Sequence, residues 1–544
     1  MGPQRPTLGL GLQPLIQSLR ATDGASSLLG IVEPWEVWWT RNRDMYLSFK
    51  EDVQWEKIVA DSNGTMALTI YPIYDELVKV LGKALYEQDL YIALRAAIAL
   101  GKAGSAYNFT ALDILKKAND NDKRFFVRNN ELFGLGLSGD ISTAKVIKEV
   151  LQKKNEGGSL GVLRRSYAAL ASGYIANDPE IPKILKNILY DNDYLEVKCC
   201  ACLSLGNLKD TSAVLLLSKI LNLLEGGGKE QPVLRAYAAL GLGRIGTKEA
   251  LDVLKKSTPA TEKEADVNSA VVVALGMIGE PAAKDSIISF LTDKRNPKVC
   301  GLAAIALAQI RDAKSYELIS EALQKNESND ADGLMLIALG LTGDERAKAD
   351  LRKVLEGKES RDLLKAASAI GLGLLKDNRA VPIITRMLSD DKQLNNVILA
   401  PYLIISLGMI QDQRGIDVLQ KIWNKMESDN SLLPYHTNVA VALTMLGKKK
   451  YVILPKLIQQ AGQSKNLVLR LYALHTLGLL GDRESAQIFI EAYKDSNTYV
   501  RYATLTGIGF LMDKSNLNPI NKVTANSVDI SMDITDHILL IPVW

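Results

Sequence analysis

The chain has 544 residues, of which 47% are hydrophobic and 23% charged. This length exceeds what one compact core supports and the composition excludes disorder over most of the chain, so several domains or an array of repeats are expected. The balance of 65 basic against 62 acidic residues argues against nucleic-acid binding through overall charge. The sequence contains no run of about 18 apolar residues, so it predicts no membrane-spanning helix.

Residues 1–33 predict a flexible, linker-like segment, because they contain the strings LGLGLQP and ATDGASSLLG. The opening residues lack the charged start, apolar run and cleavage site of a secretory signal. We therefore expect a cytoplasmic chain, and the crowded thiols described below agree with a reducing compartment. A leader removed ahead of this sequence would instead make the protein an exported one.

Residues 34–64 form a segment that is rich in tryptophan and does not repeat. Three of its tryptophans have the spacing i, i+3, i+4, which places them on one helical face. One interpretation is a hydrophobic cap over the first repeat, since terminal repeats need one. The other is a docking surface, because Trp and Arg are favoured interface anchors. The candidate interface residues are Trp35, Trp38, Trp39, Arg41, Arg43 and Trp55.

Residues 65–515 carry an internal repeat whose marker is an Ala-rich helix ending in Leu-Gly. Examples are RAAIALGKAG at 95–104 and LRAYAALGLGRIG at 234–246. Twelve intervals between the first marker at 101 and the last at 509 average 34 residues, enough for two helices and two short connections. Because one helix pair cannot bury its apolar face, neighbouring pairs must stack. The sequence predicts an all-α fold, a right-handed α-solenoid of about thirteen helix pairs.

A basic residue stands eight positions before the marker in seven repeats. These residues are Arg128, Arg165, Lys198, Arg235, Lys365, Arg470 and Arg501. They could form a stripe for phosphate groups, but a structural ladder between repeats is the favoured interpretation. In that ladder each cation pairs with an acidic or amide side chain of a neighbouring joint, and it orients repeats more than it stabilises them. The expected partners are Asp120, Asn192, Asp391 and Asn497.

The 34-residue period, the V-R-x-x-A-x-x-x-L-G second helix and the Pro or Asp joints resemble HEAT repeats, especially the short bacterial kind found also in phycobilin lyase subunits. The segment WEVWWTRNR at 35–43 is similar to a W-E-x-W-W-x-x-N-R motif that opens a group of bacterial HEAT-repeat proteins. The resemblance covers about residues 65–515 and implies an armadillo-like solenoid. It implies little about activity, because HEAT proteins are mostly scaffolds and adaptors.

Residues with catalytic patterns are missing from the sequence. The HEAT-repeat enzyme deoxyhypusine hydroxylase holds two irons with His-Glu pairs, whereas none of the three histidines here precedes a glutamate. Three of the four cysteines, Cys199, Cys200 and Cys202, crowd one helical turn far from Cys300. We interpret them as buried thiols rather than metal ligands. We expect no enzyme activity and no catalytic, cofactor-binding or metal-binding residues.

Residues 516–544 leave the repeat pattern and end in the apolar run ILLIPVW. Their alternation predicts an extended segment, either a C-terminal cap or a tail that adds to a partner's sheet. Together with the N-terminal tryptophans, this end could also pair chains into a homo-oligomer.

Three functions remain open at this point. The leading hypothesis is a scaffold or adaptor that binds protein partners along the concave face of the solenoid. The alternatives are an enzyme subunit related to the bilin lyases and a nucleic-acid-binding HEAT protein, which the near-neutral charge disfavours. The sequence does not name the partner.

Overall fold

The computed structural model describes residues 35–36, 38–39, 43, 46–47, 56–60, 66–104, 109–153, 158–191, 193–222, 231–259, 264–326 and 329–513. The predicted linker at 1–33 and the predicted tail at 516–544 lie outside these residues. Strand β1 (Glu56–Ala60) pairs with β2 (Met66–Ile70) in an antiparallel hairpin, in which Glu56 faces Ile70. This hairpin was not predicted, since residues 34–64 were expected to form a cap or a docking surface and residues from 65 onward to form helical repeats.

Among the described residues, helices follow the hairpin in thirteen consecutive pairs, which confirms the predicted all-α solenoid. In chain order the pairs are α1 Pro72–Leu85 and α2 Leu90–Ala103; α3 Phe109–Asn121 and α4 Phe125–Leu137; α5 Ala144–Gln152 and α6 Gly158–Ser172; α7 Ile181–Tyr190 and α8 Leu195–Asn207; α9 Val214–Leu221 and α10 Gln231–Ile245; α11 Lys248–Leu254 and α12 Ala265–Ile278; α13 Lys284–Leu291 and α14 Pro297–Gln309; α15 Ser315–Lys325 and α16 Asn329–Leu341; α17 Glu345–Glu356 and α18 Asp362–Leu374; α19 Val381–Leu388 and, after the short α20 Asp391–Leu394, α21 Ala400–Ile410; α22 Ile416–Lys425 and α23 His436–Met445; α24 Leu454–Gln463 and α25 Leu467–Leu480; α26 Ala486–Ala492 and α27 Thr498–Leu511.

The Leu-Gly marker explains why the second helices of neighbouring repeats stack so closely. A Cβ atom built on Gly101 of α2 would lie 2.5 Å from the Cα atom of Gly134 in α4. The same distance separates a Cβ built on Gly340 of α16 from the Cα atom of Gly371 in α18. The backbones of adjacent second helices therefore touch where any side chain would keep them apart.

The contacts within the chain divide it into two compact units. We call residues 1–50 with 316–480 the middle unit, and residues 51–315 with 481–544 the terminal unit. In the middle unit the second helices stack in the order α16, α18, α21, α23 and α25. In the terminal unit the order is α27, α2, α4, α6, α8, α10, α12 and α14. The last repeat of the chain therefore packs against the first, a contact that the repeat pattern alone does not predict.

The four cysteines are free and buried, as the sequence predicted. Cys199, Cys200 and Cys202 all lie in α8 with no exposed surface. Burial raises the pKa of the Cys202 thiol to about 12, so this thiol stays protonated and unreactive at neutral pH. The three cysteines of α8 therefore act as small apolar packing groups.

Candidate interaction surfaces

Three tryptophans of the predicted N-terminal cap are packed inside the middle unit rather than presented to solvent. Residues 35, 36, 38 and 39 have helical backbone conformation. The exposed fractions of Trp35, Trp38 and Trp39 are 0%, 3% and 2%. Tyr46 lies against both of the later indoles, 6.0 Å from Trp38 and 6.2 Å from Trp39 between ring centroids. We call residues 35–47 the Trp segment, in which Trp38, Trp39 and Tyr46 form one cluster.

Trp35 fits into a space that the second helices leave open. Its ring meets Tyr402 of α21 edge to face, with 5.0 Å between ring centroids and 61° between planes. A Cβ atom on Gly333 of α16 would overlap the Trp35 indole, so only glycine leaves room for the ring there. Helix α18 stacks on both α16 and α21, and the indole therefore bridges two second helices that are not neighbours.

One polar contact accompanies the buried indole. The Tyr402 hydroxyl donates a hydrogen bond to Oε1 of Glu36, with 3.2 Å between the oxygens. Burial, and then the Glu36 charge, raises the pKa of Tyr402, so the hydroxyl remains a donor. Burial, with the charge of Arg43 nearby, lowers the pKa of His475 in α25 to about 4. His475 is therefore a neutral packed residue at physiological pH.

These positions correct the expected cap over the first repeat. Trp35 contacts Gly333 and Tyr402 of the eighth and tenth repeats. The cap argument assumed that an apolar segment covers its nearest neighbour in sequence. The space that receives Trp35 is left instead by Gly333, which lies nearly 300 positions later in the chain. The buried indoles are also not the exposed docking surface of the second interpretation, while Arg41 and Trp55 lie outside the described residues.

Four of the five arginines of the predicted ladder share one contact, which is the free carbonyl at the end of the first helix of their own repeat. The Nε atom of Arg128 donates to the Asn119 carbonyl at 2.8 Å. In the same way, Arg165 donates to the Leu151 carbonyl, Arg235 to the Leu221 carbonyl and Arg470 to the Ala461 carbonyl. This bond fixes the angle between the two helices of one repeat.

Two of these arginines also reach the joint of the next repeat. Both terminal nitrogens of Arg165 donate to the two Asp193 carboxylate oxygens at 2.7 Å. Their side chains are only 5% and 3% exposed, and a bidentate pair of this kind sets both distance and orientation. Arg235 approaches Glu264 with one terminal nitrogen, at 3.6 Å. In these two repeats the ladder therefore combines a bond within the repeat with an ion pair to the next layer.

The partners differ from those that the sequence suggested. Asp391 approaches Lys425 at 3.6 Å, and Asn497 accepts from the Tyr499 amide at the start of α27. Arg128 bonds the Asn119 carbonyl instead of the Asp120 side chain, and Asn192 lies outside the described residues. Within the described part of the chain, the side chains of Lys198 and Lys365 form no hydrogen bond or ion pair. The physical reason is that helix-end carbonyls are closer acceptors than the carboxylates that follow them in sequence.

Arg501, the last member of the series, joins the last repeat to the first. Its Nη1 atom donates to Glu87 in the joint between α1 and α2, at 2.9 Å. Glu87 therefore accepts a hydrogen bond from Arg501 as Asp193 does from Arg165. We call this contact between α26–α27 and α1–α2 the seam. Its other polar contacts are Tyr493 with Glu87, Tyr502 with Asp89, Arg95 with Thr506 and Lys102 with Asp513.

A buried carboxyl group lies close to the seam. Glu131 of α4 has no exposed surface. Burial, and then the charge of Asp122, raises the pKa of Glu131 to about 8, so it holds a proton at neutral pH. Asp122 itself pairs with Arg124, whose guanidinium also donates to the carbonyls of Glu87 and Leu85. Glu131 therefore interacts with Asp122 and Arg124, the pair whose guanidinium contacts the end of α1 and the joint between α1 and α2.

The described residues contain no group of three His, Cys, Asp or Glu side chains that could hold a metal ion. No helix among them is both long enough and apolar enough to cross a membrane.

Residues 217–308, from α9 to α14, match the family model of HEAT repeats. The chain contains HEAT repeats. Solved structures with a similar arrangement include human deoxyhypusine hydroxylase in complex with glycerol. It is 22% identical over 50% of this chain and 97% of that chain, with a TM-score of 0.23. No curated protein matches the chain.

A second similar structure comes from work on a conserved phosphorylation switch that controls the interaction between cadherin and beta-catenin. It is 14% identical over 80% of this chain and 99% of that chain, with a TM-score of 0.26. TM-scores this low support no argument about what the present chain binds. The HEAT assignment therefore depends on the family match and on the helix pairs themselves.

Proposed function

We propose that this chain is a non-catalytic scaffold that binds protein partners along the layer of second helices, the surface predicted as the concave face. The observation that supports this proposal is the docked Trp segment. Helices α16 and α21 hold Trp35, a residue with helical backbone conformation, in a space made by Gly333. Binding an amphipathic helix in a groove is a recurrent mode of peptide recognition. The W-E-x-W-W-x-x-N-R resemblance further suggests a place among bacterial HEAT-repeat proteins.

Capture of partners by the full chain tests this function. The immobilised protein should recover a stoichiometric protein partner, and hydrogen exchange on the complex should show new protection in α16, α18, α21, α23 and α25. Protection restricted to the first helices would contradict the proposed surface, and capture of no stoichiometric partner would contradict the scaffold function.

The alternative functions have their own outcomes. A shift in visible absorbance on mixing with a bilin would favour the lyase-like enzyme subunit. A gel shift with DNA or RNA that weakens with salt would favour a nucleic-acid-binding protein.

A further inference from the structure

The Trp segment occupies its site with an imperfect fit. The Trp35 ring is fully buried, yet its indole N–H has no hydrogen-bond partner among the described residues. A buried donor without an acceptor weakens the packing that surrounds it. The hydrogen bond from the Tyr402 hydroxyl to Glu36 is long for two oxygens, at 3.2 Å. Shape complementarity at Gly333 therefore holds the indole more than polar contacts do.

The segment is nevertheless a strong competitor for its own site, because it belongs to the same chain. A tethered ligand binds at the effective concentration that its connection allows, which is commonly millimolar. A free ligand must exceed that concentration or bind more tightly to replace it. An occupant whose buried indole N–H lacks an acceptor, and which is held at high local concentration, can both close a surface and be displaced from it.

We propose that the Trp segment is an internal ligand that closes the second-helix surface of the middle unit until an external peptide displaces it. This proposal rests on the proposed scaffold function and names its partner class. The external ligand is an amphipathic helical peptide with a tryptophan over Gly333 and an acidic residue beside it. The tryptophan fills the space left by the glycine, and the acidic residue accepts the Tyr402 hydrogen bond as Glu36 does.

A labelled peptide with the sequence of residues 33–47, EPWEVWWTRNRDMYL, tests the proposal by fluorescence anisotropy on the full chain. Trp35→Ala empties the site, so the peptide should bind this variant at least about tenfold more tightly than the wild type. Adding Gly333→Val to Trp35→Ala should abolish that binding, because the new side chain fills the indole space. Adding Gly462→Ala is the matched control, since a Cβ on Gly462 meets no atom within 4 Å.

Three results would overturn the proposal. Equal affinity for wild type and Trp35→Ala would show that the segment does not close the surface. Binding that survives Gly333→Val would place the peptide elsewhere, and no binding to any variant would show that the segment is not a ligand. None of these results decides the scaffold function, which depends on the separate capture of a partner.

Tyr402→Phe provides a milder variant if Trp35→Ala alters folding, which circular dichroism would reveal. It removes the hydroxyl and keeps the ring that Trp35 meets. We expect peptide affinity between those of wild type and Trp35→Ala, because the internal ligand loses one hydrogen bond. A Tyr402→Phe chain that binds the peptide no better than wild type would contradict the role of this bond in keeping the surface closed.

Discussion

The seam of the terminal unit and the docked Trp segment of the middle unit both join residues that are distant in sequence, by 414 and 366 positions for two of their polar contacts. They are built from different interactions. The seam repeats the contact between consecutive repeats, with Arg501 facing Glu87 as Arg165 faces Asp193. The Trp segment instead places a large ring over a glycine. One contact follows from the repeat, and the other depends on a single match of shapes.

The close contacts of the helices sharpen this difference. Inside the terminal unit, a Cβ atom on Gly101 would meet the next backbone at 2.5 Å, whereas one on Gly509 would lie 3.6 Å from the Ala99 Cβ atom at the seam. The seam therefore has room for an extra methyl group that an ordinary repeat interface does not have. It resembles the ladder in its polar contacts but is packed less tightly at the marker glycine.

The largest expected effect concerns pH and the terminal unit alone. Glu131 has a pKa of about 8 in the folded chain, against an ordinary value of 4.5. Its contribution to stability is complete below pH 4.5 and is lost as pH rises through 8. The free energy of unfolding should fall by up to about 1.4 kcal/mol per pH unit across this window. Denaturant unfolding of the wild type and of Glu131→Gln, carried out from about pH 5 to about pH 9, measures how the free energy of unfolding depends on pH in each protein.

Glu131→Gln should remove this slope, because glutamine does not titrate. Exposed Glu484→Gln, in the same unit, is the matched control and should keep the wild-type profile. Hydrogen exchange should place the change in α4 and leave the Trp segment unaffected. An unchanged slope in Glu131→Gln would mean that another group controls the pH dependence.

Removing the Trp35 ring should cost about 3–5 kcal/mol of docking free energy, the usual loss when a buried aromatic becomes alanine. The loss should appear as faster hydrogen exchange in residues 35–47 of Trp35→Ala. Exchange in α2 and α27 should stay as in the wild type, because the seam is a separate contact. Faster exchange at the seam in this variant would show that the two contacts are coupled.

A disulfide across the seam should form and stabilise the terminal unit. The distance of 3.6 Å between the two Cβ positions lies in the range of about 3.5–4.5 Å that disulfides use. Ala99→Cys with Gly509→Cys should therefore oxidise readily and add about 2–4 kcal/mol to the free energy of unfolding. Free-thiol titration and denaturant unfolding with and without reductant measure both effects. The single Ala99→Cys variant is the control, and failure to oxidise would contradict the seam.

The smallest effects compare two glycines of the terminal unit. Gly101→Ala should destabilise by about 1–3 kcal/mol, because the new methyl group overlaps the next helix. Gly509→Ala should be neutral or stabilise by up to about 1 kcal/mol, since alanine favours the helix and the methyl group has room. Thermal unfolding of both variants measures the contrast. Equal losses would mean that the seam is packed as tightly as an ordinary repeat interface.

Much of the fold was predictable because its signals are local. The Leu-Gly marker and the apolar spacing lie within one repeat, and they located all thirteen second helices among the described residues. The hairpin at 56–70 escaped prediction because its short strands lie outside the repeat pattern. The arginines of the ladder were recognisable by position, but their acceptors were not. A backbone carbonyl such as that of Asn119 leaves no mark in a sequence.

The sequence by itself determined the helix pairs, the thiols that stay buried and the positions of the stacking glycines, since each depends on residues within about one repeat. Only the tertiary structure decided that the last repeat packs on the first and that Trp35 lies over Gly333. These contacts join residues hundreds of positions apart, and no pattern within one repeat records which distant surfaces match. A glycine that accepts an indole looks, in the sequence, like any other glycine in a helix.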